Sequence, residues 1–271
     1  MKIIKSITKQ LGYEVLPGDY LQKLNQKITE YEQRITEYEQ RNALSYSDFS
    51  EYDKEIISHV KSYTMTSPER VVSLINAIKY IYSNRIEGDI VECGVWRGGS
   101  MMVVAKTLLN LKLLDKSLFL YDTYEGMSEP SDKDVSFDGF TAKSLLDERE
   151  KKEDDYIWCY STLEEVKNNL FSTGYDQNKI NFIVGKVEDT IPDSMPKKIA
   201  LLRLDTDWYE STYHELEHLF PLLQNGGVII IDDYGHWQGA RRATDDYIKN
   251  NNIKILLNRI DYTGRIGVKT T

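Results

Sequence analysis

Ile90-Val91-Glu92-Cys93-Gly94-Val95-Trp96-Arg97-Gly98-Gly99-Ser100 decides the fold. Ile90–Cys93 reads as a buried strand carrying one acid, the glycines as a turn, and Ser100–Leu114 as a helix. The spacing is Gly-x-x-x-Gly-Gly, not the Gly-x-Gly-x-x-Gly of dinucleotide sites, which disfavours a nucleotide-dependent oxidoreductase. Glycine lets backbone approach a ligand closely. Glu92 beside it can hydrogen-bond a cationic or hydroxyl-bearing group, or else is a strand-end surface charge. The next strand, Leu118–Tyr121, ends on Asp122, the position from which a carboxylate holds an adenosine ribose.

Outward from this unit, strands and helices alternate. Glu55–Val60 and Pro68–Ser83 read as helices, the second with a Ser67 N-cap and Pro68 in its first turn. After Asp122 come a helix at Leu163–Thr173 and strands at Ile180–Val184 and Ile199–Leu204. Tyr209–Leu223 is a helix with Asn225-Gly226-Gly227 as its C-cap signal, followed by a strand at Val228–Ile231 and a helix at Gly239–Asn250. Ile253–Leu257 and Ile266–Lys269 form a terminal antiparallel pair. The pattern predicts an α/β protein with a doubly wound, Rossmann-like, mostly parallel sheet. A polar excursion at about 125–160 interrupts the rhythm and is expected to be a lid or substrate loop.

Two regions are expected, an extension over 1–52 and the α/β domain over 53–271. In the extension, Ile-Thr-Glu-Tyr-Glu-Gln-Arg occurs at Ile28–Arg34 and again at Ile35–Arg41. Leu21, Leu24, Ile28, Tyr31, Ile35 and Tyr38 follow the a/d spacing of a coiled coil within a helix over about 21–41. Such a stripe serves self-association or packs on its own domain, and spacing alone does not choose. A homo-oligomer is the expectation.

Two further strand ends carry acids. Asp205 and Asp207 follow Ile199–Leu204, and Asp232-Asp233 follow Val228–Ile231. In open α/β sheets, ligands bind beyond the carboxyl ends of the strands. If the two strands are neighbours the carboxylates converge, and like charges that close need a cation. All-oxygen ligation favours Mg²⁺ over zinc. The bland alternatives are a helix cap for Asp205 and a solvated loop for Asp232-Asp233.

The net charge of −9 argues against a nucleic-acid partner. No apolar run is long enough to span a membrane. The first residues contain no continuous apolar segment of the secretory type. Cys93 and Cys159 show no metal-type spacing, and Cys93 reads as a buried free thiol, so a reducing cytoplasm is expected.

Glu-x-Gly-x-x-x-Gly-Gly with a later strand-end Asp resembles class I S-adenosylmethionine-dependent methyltransferases. Five stretches sharpen this into a resemblance to the macrocin and mycinamicin sugar O-methyltransferase family, over about Thr64 to Ile248. They are Gly88–Gly99, Tyr121-Asp122-Thr123-Tyr124-Glu125-Gly126-Met127, Gly185-Lys186-Val187-Glu188-Asp189-Thr190, Leu204–Thr212 and Ile231-Asp232-Asp233-Tyr234-Gly235. The resemblance implies Mg²⁺-dependent methyl transfer from S-adenosylmethionine to a hydroxyl of a small-molecule or glycan acceptor. It implies Asp205, Asp232 and Asp233 as metal ligands and Asp207 as general base. Glu92, Gly94, Ser100 and Asp122 would contact the cofactor, with Thr64, Met65 and Thr66 near its amino-acid end and Val187 and Glu188 near its adenine.

The residues alone leave rivals. A catechol-like phenol would chelate the metal as a vicinal diol does, and a non-catalytic assembly protein of a glycan pathway would use the N-terminal helix. His236 is an alternate base, a substrate contact or an ordinary loop histidine. Arg241-Arg242 is a surface pair. Trp96, Trp208 and Trp237 either wall the pocket or pack in the core. In extended chain, Asp207 would point to the same side as Asp205.

Overall fold

The structure is a computed structural model and describes residues 20–152 and 155–270. The chain divides into two units, 1–50 and 51–271. In the first, α1 (Tyr20–Ser45) is a single helix. Its Leu24, Ile28, Tyr31 and Ile35 side chains are exposed. The side chains of Leu21 and Tyr38, the outer members of the predicted stripe, lie outside the described residues.

The second unit holds one seven-stranded sheet, ordered β3-β2-β1-β4-β5-β7-β6. Its strands are β1 (Asp89–Cys93), β2 (Leu118–Asp122), β3 (Ile180–Val184), β4 (Ile199–Leu204), β5 (Leu223–Ile231), β6 (Asn258–Arg259) and β7 (Arg265–Val268). The first five run parallel, and β7 pairs antiparallel with both β5 and β6. Buried parallel strands present apolar residues to both faces. Ile90, Leu118 and Ile230 therefore join the core under one helical layer, and Val91, Tyr121 and Ile229 the core under the other. The first layer is α2 (Glu51–Val60), α3 (Pro68–Asn84), α4 (Gly99–Asn110) and, after the short α5 (Ala142–Asp147), α6 (Leu163–Ser172). The second is the one-turn α7 (Val187–Thr190), α8 (Tyr209–Leu219) and α9 (Gln238–Asn250). The doubly wound, mostly parallel sheet is as the alternation predicts.

Ser67 caps α3 as expected, its side chain accepting from the Arg70 N–H. Other boundaries moved. The helix starting at Tyr209 stops at Leu219, because Pro221 forces a 3₁₀ turn over Phe220–Leu222. Asn225-Gly226-Gly227 is consequently no helix cap but part of β5. There Ile199 pairs with Leu223 and Leu201 with Val228, so the extra β5 residues bulge out. Ile253–Leu257 forms no strand, and β7 pairs with the two-residue β6 instead. α4 ends at Asn110 rather than Leu114, since Lys112 turns into the left-handed region at φ 55°.

Among the described residues, no helix is long and apolar enough to cross a membrane. The first part of the excursion after β2 is built into the fold. Asp134 is fully buried in it, accepting from the Ser131 N–H at 2.7 Å and the Tyr209 N–H at 2.8 Å. The second bond caps α8, whose own Trp208 N-cap offers no side-chain acceptor. Short bridges join Val135 to Thr141 and Ser136 to Trp237.

Candidate active site

Parallel pairing of β4 with β5 sets Leu204 beside Ile231, so the chain leaves both strands carrying acids side by side. The Asp205 N–H still donates to the Cys93 carbonyl at 2.8 Å, and the Asp232 N–H to the Leu204 carbonyl at 2.9 Å. One oxygen each of Asp205, Asp232 and Asp233 lies within 4.8 Å of the others. The predicted convergence therefore exists.

Asp207 reaches the cluster differently from the extended alternation expected of it. Its φ is 65°, in the left-handed region that aspartate tolerates better than most residues. Thr206 turns away, donating to Glu215 Oε1 at 2.9 Å. Burial, with the Asp205 charge, pushes the Asp207 carboxyl up to about 8.

Two arginines neutralise part of the cluster. Arg203, buried on β4, donates through Nη1 to Glu92 Oε1 and to Asp205 Oδ2, both at 2.7 Å, and Nη2 lies 2.8 Å from Asp232 Oδ1. Arg70, in the first turn of α3, pairs with Asp232 and with Asp261, the latter at 3.0 Å. Burial works against Asp205 ionising, yet Arg203 holds its carboxyl below the ordinary range. Burial pushes Asp232 up to about 6, opposed by Arg203, and burial with the neighbouring Asp207 charge pushes Asp233 well above its ordinary value. Asp233 Oδ2 is buried with no hydrogen-bond partner. Two guanidiniums facing this many carboxylates leave negative charge uncompensated. An orphaned oxygen and an all-oxygen donor set fit a hard divalent cation such as Mg²⁺.

Neither arginine belonged to the expected site, nor did Asp261. Arg203 had a signal: a lone arginine inside the apolar strand Ile199–Leu204 must find a buried carboxylate. Arg70 and Asp261 had none, because their partners are remote in sequence.

The β1–β2 half of the cavity begins at Gly94. A Cβ there would sit 2.0 Å from the Asp205 carbonyl oxygen, and φ is 81°. Gly99 donates its N–H to the Tyr63 carbonyl at 3.0 Å, an approach that a side chain would block. This contact lays Tyr63-Thr64-Met65-Thr66 along the glycine turn. Asp122 Oδ2 accepts from the Val95 N–H at 2.6 Å and the Trp96 N–H at 3.1 Å, and Oδ1 from the Tyr124 N–H at 2.7 Å. Burial raises its pKa while those N–H groups lower it.

A cavity of about 410 Å³ joins the two halves. That volume suits a small-molecule site. Thr64, Met65, Gly94, Ser100, Asp122, Val187 and Glu188 line it, as do Asp205, Asp207, Asp232 and Asp233. Glu92 does not. Its carboxyl is 1% exposed and turned onto Arg203, and burial pushes it up to about 8. It sits beneath the cavity lining and holds Arg203, so it is no surface charge, and its Oε2 keeps no hydrogen-bond partner.

Trp208 and Trp237 do both things expected of them. They line the cavity, stack edge to face at 5.0 Å, and pack with Ala142, Leu146 and Ala240. Trp208 Nε1 also donates to the Ser128 carbonyl at 3.1 Å. Trp96 lines the cavity as well. His236 lines it too, and burial lowers its pKa. Arg241 and Arg242 are exposed and pair with Asp245 and Asp246.

The macrocin O-methyltransferase (TylF) family matches residues 4–267. The 8-demethyl-8-(2,3-dimethoxy-α-L-rhamnosyl)-tetracenomycin-C 4'-O-methyltransferase of Streptomyces olivaceus is 32% identical over 204 residues, covering 75% of this chain and 74% of that protein. The demethyldecarbamoylnovobiocin O-methyltransferase of Streptomyces niveus is 29% identical over 231 residues, covering 83% and 84%. The solved O-methyltransferase NovP superposes with a TM-score of 0.66 at 29% identity, over 77% of this chain and 83% of that one.

Proposed function

This chain belongs to the macrocin O-methyltransferase family, and we propose that it methylates a sugar hydroxyl with S-adenosylmethionine and Mg²⁺. It is an O-methyltransferase with the fold of S-adenosylmethionine-dependent enzymes. The acceptor we assign is a sugar of a glycoside or glycan, as the tetracenomycin relative's rhamnosyl substrate suggests. One observation carries the reading: three aspartate oxygens gathered within 4.8 Å, in the same cavity as the glycine turn.

S-adenosylmethionine supplies the methyl group, and Mg²⁺ lowers the pKa of a coordinated hydroxyl and orients it. The chain does the rest. Asp205, Asp232 and Asp233 would hold the ion, kept in place by Arg203 and Arg70. Asp207 would take the hydroxyl proton on a carboxylate oxygen as the methyl group reaches the acceptor oxygen, leaving S-adenosylhomocysteine. A base with a pKa near working pH suits that task. Gly94 and Ser100, with Thr64 and Met65 opposite, would position the donor, and Val187 and Glu188 its adenine. Asp122 would do so through the backbone it clasps, with spare lone pairs for a ribose. The part of the excursion around Asp134, tied to Tyr209 and Trp237, would act as a wall that excludes water. We assign α1 to self-association.

The test is calorimetric titration of S-adenosylhomocysteine, followed by turnover with methyl α-L-rhamnopyranoside and other glycosides in Mg²⁺ or EDTA. Binding of the cofactor product and Mg²⁺-dependent methyl transfer support the reading. Folded protein that binds no S-adenosylhomocysteine overturns it.

A further inference from the structure

Three aromatic rings from three separate stretches meet beside the aspartate cluster. The Phe137 and His236 centroids are 5.4 Å apart, and each ring lies 6.1 Å from that of Tyr262. The Tyr262 hydroxyl is 3.3 Å from His236 Nδ1. Each stretch is tied to the site. The His236 N–H donates to the Asp233 carbonyl. Tyr262 follows Asp261, the partner of Arg70, and Thr263 Oγ1 donates to the Asp232 carbonyl at 2.7 Å. Gly235 permits this, since a Cβ there would lie 2.0 Å from the Tyr262 carbonyl oxygen. Phe137 is set by its neighbour Ser136, which bridges to Trp237.

His236 and Tyr262 line the cavity, yet Phe137 is 62% and Tyr262 54% exposed. A cluster of large rings held in water by a rigid frame marks a ligand contact. Charge narrows the ligand. The basic residues lining the cavity, apart from His236, are Arg70, Arg203 and Lys186. Both arginines are engaged by carboxylates. Lys186 follows β3, four strand positions from β5, a distance of about 19 Å at ordinary strand spacing. A phosphate near the three rings would meet Asp138 and Asp261 instead.

Building on the sugar methyl transfer above, we propose that Phe137, His236 and Tyr262 form a second acceptor subsite. It takes the face of an uncharged ring adjoining the methylated sugar. The electron-rich ring faces attract the C–H face of a pyranose or the edge or face of an aromatic aglycone.

The test uses protein saturated with S-adenosylhomocysteine and Mg²⁺. Three probes are titrated calorimetrically: methyl α-L-rhamnopyranoside, p-nitrophenyl α-L-rhamnopyranoside and the methyl glycoside of a rhamnosyl-rhamnose disaccharide. At least one two-ring probe binds about tenfold tighter than the one-ring probe. Phe137→Ala removes that gain and leaves the affinity for methyl rhamnoside unchanged; Tyr262→Ala removes it as well. The probe that gains identifies the ring as aromatic or sugar. A protein that binds methyl rhamnoside without gaining from either second ring overturns the subsite, as does a gain that survives both substitutions. The sugar reading survives either result. Binding of S-adenosylhomocysteine with neither binding of a rhamnoside nor methyl transfer to any glycoside offered overturns both.

Discussion

The two halves of the cavity are built on opposite principles. At the β1–β2 end, Asp122 is satisfied by the backbone N–H groups of Val95, Trp96 and Tyr124, and the turn closes on itself. At the β4–β5 end, carboxylates crowd one another, Asp233 keeps an orphaned oxygen, and Asp207 sits in a backbone conformation that costs energy. A buried acid stabilises a fold when donors surround it, and destabilises it when other acids do. One end is a finished scaffold, and the other, on the proposed function, is completed by a cation.

Catalysis gives the largest expected contrast. Asp207→Asn should lower the methyl-transfer rate about 10²–10⁴-fold while S-adenosylhomocysteine affinity stays within a few-fold, as initial rates and calorimetry would show. Parallel loss of both would make Asp207 a scaffold residue. Stability should then respond with opposite signs. Asp122→Ala strands several buried N–H groups and should cost roughly 2–4 kcal/mol in urea unfolding. Asp233→Asn, measured in EDTA, should stabilise the protein, because it removes one member of the repelling set. A destabilisation there would erase the distinction between the two ends.

Next comes pH. Asp207 and Asp232 are raised to about 8 and about 6, above the ordinary aspartate value of about 3.9. The folded state then binds more protons than the unfolded one between those values, so stability falls as pH rises. Melting of the EDTA-treated protein should therefore drop from pH 4 towards pH 8, and saturating Mg²⁺ should flatten the slope. The smallest effect concerns backbone strain. Asp207→Gly should stabilise by about 0.5–1 kcal/mol, since glycine takes a positive φ freely, while still abolishing turnover.

Much of this was legible from sequence because it rests on local signals. The runs Ile90–Cys93, Leu118–Tyr121 and Ile199–Leu204 are short and apolar in a chain that alternates strands with helices, so the mostly parallel sheet and its acid-bearing strand ends follow, whereas the adjacency of β4 and β5 was only a condition. What was not legible depends on distant partners or shared turn chemistry. Asn225-Gly226-Gly227 suits a helix end and a strand bulge equally, and only Pro221 upstream excluded the helix. The burial of Glu92 against Arg203 was not foreseen because that partner lies 111 residues away. Asp207 obeys no strand alternation because the chain has already left β4.

Gly94 gives the two ends a common hinge pin. With a methyl group there 2.0 Å from the Asp205 carbonyl oxygen, the tails of β1 and β4 are bolted together through an atom that must be missing. Redesign for a bulkier methyl donor would begin by loosening that turn, and would move Asp205 within the carboxylate cluster in the same step. Donor scope and the geometry of the carboxylate cluster in this scaffold are therefore one engineering variable, to be adjusted jointly or left alone.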